Sequence, residues 1–351
     1  MSGAQSGPVG VVGLGLIGGS LARALQAAGV PVVATDPASN EEARAAGLSV
    51  VDDVAGLALH RPEIVVLAAP LRAMRAVAGE LAEALAGEPG WDPTVTDVGS
   101  VKAPVREAVA DAGLAGRYVG AHPMSGTERS GFDASSVELM QGIPWAVTCA
   151  GAEAGVAGTD PARLERVLRL VTGPLGGTAA VLTDDLHDEA AALVSHVPHV
   201  LANQLLGAVS GAPVRDLALG LAAGSFRDGT RVGLTDPRRT EAMVTENAAW
   251  VAPVLRLAAR DLERLADELE SNAPTHWFFD RPDPVRELIG RPGGPRVTGL
   301  RPGDGARPGL RSDAEVVPLT GDWPAQLVAR CAAGAVVVRL DDRGAELQPA
   351  R

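Results

Sequence analysis

The sequence has few of the residues that indicate a disulfide-stapled, metal-binding or membrane protein. It has two cysteines among 351 residues, Cys149 and Cys331, which form no disulfide framework and no metal-ligand spacing with histidine. Aromatic residues make up 3% of the chain, so we expect a largely aliphatic core. No run of eighteen uncharged apolar residues and no basic N-terminal leader is present. We therefore expect a cytoplasmic protein without a bound metal.

Lysine is also nearly absent, since Lys102 is the only lysine among 31 basic residues. The net charge of −12 disfavours binding to nucleic acid or to an anionic membrane. An anionic substrate would need a local cationic pocket to overcome the repulsion from this net negative charge. The GxSxG pattern of serine hydrolases is missing, which argues against that class of enzyme.

Strand-like and helical segments alternate over residues 8–183. The predicted strands cover 8–13, 31–36, 63–70, 94–100, 118–124, 144–150 and 177–183, and the predicted helices cover 16–28, 71–86, 102–112 and 161–172. This alternation predicts a doubly wound, parallel α/β sheet of the Rossmann type with helices on both faces. Residues 184–211 and 236–271 have helical periodicity without strand signals, so we assign 184–275 to an all-helical domain.

The last part of the chain changes composition twice. Residues 276–313 are rich in proline, glycine and arginine, which predicts a linker. Residues 314–351 suggest strand, helix and strand, but they are too few for an independent domain with a large core. We expect them to form a C-terminal tail that packs on the helical domain.

A glycine-rich turn joins the first predicted strand to the first helix. Gly13, Gly15 and Gly18 form GxGxxG, with Leu16 and Ile17 at the helix start. These glycines permit the tight turn, the approach of a pyrophosphate and close helix–strand packing. Asp36 ends the second strand. A carboxylate at this position accepts hydrogen bonds from the ribose hydroxyls of NAD and repels the 2′-phosphate of NADP. We therefore expect NAD to bind here, while Arg44 downstream leaves NADP open.

Two candidate catalytic residues follow strands at the edge of the sheet where ligands bind. His122, within the segment Gly120–Glu128, is placed to accept a proton near neutral pH, although a structural role is equally open at this point. Ser100, within Asp97–Lys102, puts a hydroxyl at the same edge, beside the only lysine, near where a nicotinamide would lie. Ser100 is also a candidate N-cap of the following helix.

A second histidine-rich segment opens the helical domain. At 100° per residue, Asp188, Ser195 and His199 fall within about 40° of one another, and His196 points roughly 100° away. Pro198 predicts a kink in this helix. We interpret the shared face as the wall of a pocket, with a solvated polar helix surface as the alternative.

A third segment, Gly224–Arg231, joins two predicted helices and contains Arg227 and Arg231. The guanidinium fork suits bidentate pairing with a carboxylate. The alternative is a solvated basic loop.

Taken together, these segments resemble the prephenate/arogenate dehydrogenase family of tyrosine biosynthesis. The resemblance rests on VVGLGLIGGSLARAL, the aspartate in ATDP, DVGSVK, GAHPMSGTERSG, HDEAAALVSHVPHVLA and GSFRDGTRVGLTDP, which occur in the family's order over residues 8–271. It implies that the N-terminal half binds NAD(P), that the helical half forms a homodimer, and that the active site lies in the cleft between them.

The resemblance also implies roles for individual residues. His122 would accept the proton of the substrate's ring hydroxyl, and Ser100 would orient that histidine. Arg231 would bind the ring carboxylate, with Asp228 positioning it. The remaining implied pocket residues are His199 and Ser195, which would hold the rest of the substrate, Thr127 and Glu128 at the entrance, and His187 and Asp188 in the wall.

The implied reaction is the NAD-dependent oxidative decarboxylation of prephenate to 4-hydroxyphenylpyruvate. Arogenate dehydrogenase is an alternative, with Asp188 or Glu189 as candidate partners of the substrate's amine. A 4-amino-deoxyprephenate dehydrogenase and a non-catalytic NAD-binding protein are further alternatives. The tail loosely resembles part of a regulatory ACT domain, but only about half of that fold would fit.

Overall fold

The central feature of the fold is a ten-stranded sheet. The computed structural model describes residues 7–151, 158–290 and 314–349. Its strands are β1 (Val9–Val12), β2 (Val32–Thr35), β3 (Ile64–Leu67), β4 (Thr94–Asp97), β5 (Tyr118–Pro123), β6 (Pro144–Thr148), β7 (Thr178–Leu182), β8 (Glu315–Val317), β9 (Ala335–Asp341) and β10 (Gly344–Pro349). They lie in the order β2-β1-β3-β4-β5-β6-β7-β9-β10-β8.

Helices cover both faces of this sheet, as the alternation of segments predicts. They are α1 (Leu16–Ala27), α2 (Asn40–Ala45), α3 (Val54–Ala58), α4 (Met74–Gly87), α5 (Ala103–Asp111) and α6 (Pro161–Thr172). Successive residues of a strand point to opposite faces, so Val66 joins one apolar cluster with α1 and α6, and Leu67 joins the other with α4 and α5. The short β-branched strands are buried on both sides, which is typical of parallel sheets.

The sheet is not parallel throughout. Strands β1–β5 are parallel, but β6 pairs with β5 in the antiparallel direction, and β7 runs parallel to β6. Between β5 and β6 the chain forms only two short 3₁₀ turns, so it lacks the crossover helix that a parallel neighbour requires. The expectation of an all-parallel sheet is therefore corrected at β6. The carboxyl ends of β1–β5 still share one edge, where the candidate site lies.

The helical domain follows β7 directly. Its helices are α7 (Asp184–Ala191), α8 (Val197–Ser210), α9 (Arg215–Gly220), α10 (Gly224–Thr230), α11 (Pro237–Glu246), α12 (Ala248–Glu270), α13 (His276–Asp280) and α14 (Asp283–Gly290). The predicted linker is therefore wrong for residues 276–290, which form α13 and α14, and its remainder, 291–313, lies outside the described residues. Across the described ranges, no helix combines the length and apolarity needed to cross a membrane.

The C-terminal tail extends the nucleotide-binding sheet instead of packing on the helical domain. Strand β9 pairs with β7, β10 pairs with β9 and β8, and helix α15 (Trp323–Ala332) packs against β7. Trp323, Leu327 and Val337 are buried in the same apolar cluster as β7 and α6. This corrects the sequence-based expectation. Without the tail, β7 would be an edge strand with unpaired backbone groups.

Candidate active site

The glycine turn after β1 has the geometry of a phosphate-binding loop. Gly13 has φ +102°, and a Cβ there would lie 2.7 Å from the backbone of Ala68. A Cβ on Gly18 would lie 2.0 Å from the carbonyl oxygen of Gly13. A Cβ on Gly15 would meet no atom within 4 Å, so this side of the turn is open.

Helix α1 begins at Leu16, directly after that open position. The first-turn N–H groups of Leu16 and Ile17 have no acceptor within a helix, and they carry the positive end of its dipole. An anionic pyrophosphate fits this cradle. These residues and the three glycines of the turn are thus the ones that would hold the dinucleotide.

Asp36 lies at the end of β2, beside the glycine turn. Its Oδ2 accepts a hydrogen bond from the Leu14 N–H at 2.7 Å, and its Oδ1 accepts from the N–H groups of Ala38 and Ser39 at 2.8 and 2.9 Å. A carboxylate has about four lone-pair positions, so it can still accept from a ribose hydroxyl. Asp36 therefore both fixes the turn and presents a negative charge where the ribose of a dinucleotide would lie.

Two histidines and an aspartate form a hydrogen-bonded relay between the domains. His122 Nδ1 lies 3.0 Å from His187 Nε2, and His187 Nδ1 lies 2.7 Å from Asp188 Oδ1. Because a carboxylate can only accept, His187 donates from Nδ1, and its Nε2 then accepts from His122 Nδ1. This tautomer leaves His122 Nε2 without a proton, so it can act as a base.

Asp188 is almost fully buried and links the two domains. Besides His187, it accepts hydrogen bonds from the backbone N–H groups of Lys102 at 2.8 Å and Ala103 at 3.0 Å, at the start of α5. Burial raises the pKa of Asp188, but the hydrogen bonds from His187 and the two N–H groups outweigh burial and lower it. Asp188, not Ser100, therefore caps α5, and it does more than line a pocket wall.

The surroundings of His122 favour its neutral form. Burial, together with the neighbouring His187, Lys102 and His196, holds the pKa of His122 well below its usual value. A histidine with this pKa is unprotonated at neutral pH, as a proton acceptor must be.

Lys102 is fully buried and lies beneath β5, so it is not at an open surface beside the nicotinamide position. Its Nζ pairs with Asp97 and donates to the Ala121 carbonyl oxygen at 2.6 Å. Asp97 also accepts from the Tyr118 hydroxyl at 2.8 Å and from the Ala121 N–H at 3.1 Å. This cluster fixes the backbone just before His122. The sequence offered one signal for it, a lone lysine shortly after a buried strand.

The predicted shared helix face is interrupted by a π-helical turn at Ala192–His196. This turn lies between α7 and α8, directly before Pro198, and shifts the angular phase of the residues that follow. As a result His196, predicted to point away, is fully buried, and its Nδ1 accepts from Asn247 Nδ2 at 2.9 Å. Burial lowers the pKa of His196 to about 4. His196 and Asn247 are site residues that the sequence analysis missed.

Ser195 lies within this turn, and His199 lies after it in α8. His199 is half-buried, and its Nδ1 donates to the Ser195 carbonyl oxygen at 2.8 Å. Burial first, then the charges of Arg239 and Arg231, lowers the pKa of His199. His199 therefore lies near both arginines.

The remaining predicted residues lie at the exposed side of the site. Asp228 lies 3.7 Å from Arg227, so the predicted pairing with Arg231 is not observed. Glu128 is exposed, and the Thr127 carbonyl oxygen accepts from Arg239 Nη2 at 3.0 Å. Ser100 is half-buried, and the described residues include no hydrogen-bond partner for its hydroxyl. His122 is thus oriented by His187, not by Ser100.

Two family models match the two halves of this architecture. Residues 21–180 match the model described as prephenate dehydrogenase, nucleotide-binding domain, and residues 183–278 match the one described as prephenate dehydrogenase, dimerization domain. Cyclohexadienyl dehydrogenase of Zymomonas mobilis is 36% identical over 75% of this chain and 88% of its own length. Prephenate dehydrogenase of Bacillus subtilis is 27% identical over 76% of this chain and 71% of its own length.

A solved structure has the same arrangement of domains. Prephenate dehydrogenase of Aquifex aeolicus, in complex with hydroxyphenyl propionate and NAD⁺, has a TM-score of 0.69 and 29% identity over 81% of this chain and 98% of that chain. Since the matched models cover most of the chain and include all three residues of the interdomain relay, the chain belongs to the prephenate/arogenate dehydrogenase family and is an NAD-dependent oxidoreductase.

Proposed function

We propose that this enzyme catalyses the oxidative decarboxylation of prephenate to 4-hydroxyphenylpyruvate. The observation that carries the proposal is the His122–His187–Asp188 relay, which leaves an unprotonated imidazole nitrogen at the carboxyl edge of the sheet. Oxidation of a ring alcohol needs a base beside the position of the nicotinamide, which binds at this edge of the sheet.

NAD⁺, when bound, accepts the hydride from the hydroxyl-bearing ring carbon. His122 Nε2 takes the hydroxyl proton as that C–H bond breaks, while its Nδ1 proton stays in the hydrogen bond to His187. The ring carboxylate leaves as CO₂, and its bonding electrons complete the aromatic ring. The proton held on His122 then returns to the phenolic oxygen.

Arg231 binds the ring carboxylate in this scheme. The contact must hold the substrate without stabilising the carboxylate more than the transition state, because equal stabilisation of both gives no gain in rate. Within the described chain, no carboxylate lies within the 4.0 Å ion-pair distance of Arg231, so its fork is free for a substrate.

NAD is the preferred dinucleotide in this proposal. Asp36 places a negative charge at the ribose position, and Arg44, which would be needed for a 2′-phosphate, is paired with Asp52 at 2.5 Å. Both observations disfavour NADP.

Arogenate is the second candidate substrate. His199 donates from Nδ1, so its Nε2 is an acceptor that suits the ammonium group of arogenate. The neighbouring Arg231 and Arg239 repel an ammonium, which favours the keto acid prephenate. The names of related enzymes include both cyclohexadienyl and arogenate dehydrogenases.

We also propose a homodimer built through the helical domain. Several leucines of this domain are exposed in the single chain, among them Leu201, Leu205, Leu217, Leu221 and Leu262. A second copy covering these side chains would remove a large apolar surface from water.

Steady-state assays with prephenate and with arogenate, each with NAD⁺ and NADP⁺, test the proposal. We expect the highest kcat/KM for prephenate with NAD⁺. NAD⁺ binding without turnover of either substrate would instead indicate a non-catalytic NAD-binding protein. Adding tyrosine to the same assays tests whether the C-terminal tail has any regulatory effect.

A further inference from the structure

Prephenate and arogenate each carry two carboxylates, and Arg231 accounts for only one of them. We propose that Arg239 binds the side-chain carboxylate and forms a second anion subsite. The inference rests on the proposed function for the identity of the substrate, but the subsite itself is defined by residues of this chain.

The position of Arg239 supports this assignment. It lies in the first turn of α11, which packs against the π-helical turn and α8, and its Nη2 donates to the Thr127 carbonyl oxygen at 3.0 Å. Thr127 belongs to the loop that follows His122. Arg239 therefore connects the helical domain with the loop that follows the base.

Arg231 lies on a separate element at the same wall. It begins a 3₁₀ turn, Arg231–Leu234, that packs against α8, the helix that carries His199. Both guanidinium groups depress the pKa of His199, so both lie close to that ring. Two cations on separate elements that both pack against α8 match a ligand with two separated carboxylates.

The acidic groups near Arg239 have other partners. Asp236 caps α11 by accepting from the N–H groups of Arg238 and Arg239 at 2.8 and 3.2 Å, and Glu241 lies 3.4 Å from Arg72. Over the residues that the structure covers, Arg239 has no carboxylate within 4.0 Å. Among the described residues only its Nη2 has a protein acceptor, so its other N–H groups, including the second one on Nη2, are available for a ligand carboxylate.

Although Arg239 is exposed in the single chain, nearby protein atoms remove part of its hydration. Desolvation lowers its pKa, with the charge of Asp236 opposing the change. A guanidinium that has lost part of its hydration interacts more strongly with an incoming carboxylate than a fully solvated one does.

The test uses two ligands that each carry one of the two carboxylates. 3-(4-Hydroxyphenyl)propionate keeps only the side-chain carboxylate, and 4-hydroxycyclohexane-1-carboxylate keeps only the ring carboxylate. Their dissociation constants are measured by calorimetry, with the full-length protein saturated with NAD⁺, for wild type, Arg239→Gln, Arg231→Gln and the matched control Arg238→Gln.

We expect Arg239→Gln to weaken binding of the propionate about 10- to 100-fold and to leave the ring carboxylate ligand nearly unchanged. Arg231→Gln should do the opposite, and Arg238→Gln should affect neither. A purely structural role for Arg239 would weaken both ligands together. Arg239→Lys, which keeps the charge but loses the fork, should bind the propionate with intermediate affinity.

Several outcomes would overturn the subsite. One is that the propionate binds Arg239→Gln with wild-type affinity. A second is that Arg239→Gln loses the same affinity for both ligands. A third is that the propionate does not bind measurably to the wild-type protein. NAD⁺ affinity of each variant reports folding, and Arg239→Lys replaces Arg239→Gln in the comparison if the latter does not fold. If the ligand pattern holds but prephenate is not oxidised, the proposed function fails while the anion subsite stands.

Discussion

At the residue scale, the chemistry depends on which nitrogen of each imidazole carries a proton. Asp188 can only accept a hydrogen bond, so it sets the tautomer of His187, and His187 in turn sets that of His122. Burial and neighbouring groups then keep His122 neutral. Asp188 does not contact His122, but through His187 it determines which nitrogen of His122 is free to accept a proton.

The first prediction concerns His122. His122→Asn removes the proton acceptor and should lower kcat by about 10²- to 10⁴-fold with little change in NAD⁺ affinity. Steady-state kinetics and NAD⁺ titration measure the two effects. His60→Asn, at an exposed histidine of the nucleotide-binding domain, is the control and should have wild-type kinetics. An unchanged kcat in His122→Asn would remove this residue from the mechanism.

The second prediction is the pH dependence of kcat/KM. His122 must be neutral to act, and its pKa lies well below 6.5, so protonation removes activity only as the pH falls through that lowered value. The acidic limb of the profile should therefore lie well below pH 6.5, where an ordinary histidine would already be half protonated. An acidic limb centred at pH 6.5 or higher would contradict the assignment.

At the element scale, α5 and α7 are joined through Asp188, and the π-helical turn after α7 brings His196 into the buried site. A uniform periodicity of 100° per residue cannot anticipate this turn, because one wide turn changes the phase of all residues beyond it. That uniform periodicity is why the sequence pattern placed Asp188, Ser195 and His199 on one face.

The third prediction tests this connection. In Asp188→Asn only one side-chain atom can accept hydrogen bonds. The NH₂ group that replaces the other oxygen faces an N–H donor of α5 or of His187, so at least one hydrogen bond is lost. The free energy of unfolding should fall by about 1–3 kcal/mol, measured by chemical denaturation, and kcat should fall as well. Asp185→Asn, at an exposed position of the same helix, is the matched control. Equal stability of the two variants would contradict the capping role.

At the scale of the whole molecule, the C-terminal tail completes the nucleotide-binding sheet. Helix α15 and strand β9 cover β7, and their apolar side chains share a core with α6. The tail therefore contributes to the stability of the domain that binds the dinucleotide.

The fourth prediction follows from this packing. Leu327 on α15 is fully buried, so Leu327→Ala should lower the free energy of unfolding of the nucleotide-binding domain by about 2–5 kcal/mol. Denaturation monitored with and without NAD⁺ identifies the domain that is affected. Val316→Ala, at a side chain that is 44% exposed, is the control. A loss below about 0.5 kcal/mol in Leu327→Ala would show that the tail is not integral to the core.

Local sequence patterns were sufficient to predict those features that depend on neighbouring residues. The glycine turn, the carboxylate of Asp36, the buried strands and the switch to helices near residue 184 all depend on residues close together in the chain. Such features follow from backbone sterics and from the period of apolar residues, and the structure confirms the strands and helices that they predict over 8–271.

Only the tertiary structure decided which distant residues meet. The relay joins residues 65 positions apart, Asp188 caps a helix 85 positions away, and β9 pairs with β7 across the described parts of the chain. Partners of this kind are selected by packing and by the need to satisfy buried hydrogen-bonding groups, which no local pattern records. For the same reason the contacts of Lys102, His196 and Arg239 could be identified only in the folded chain.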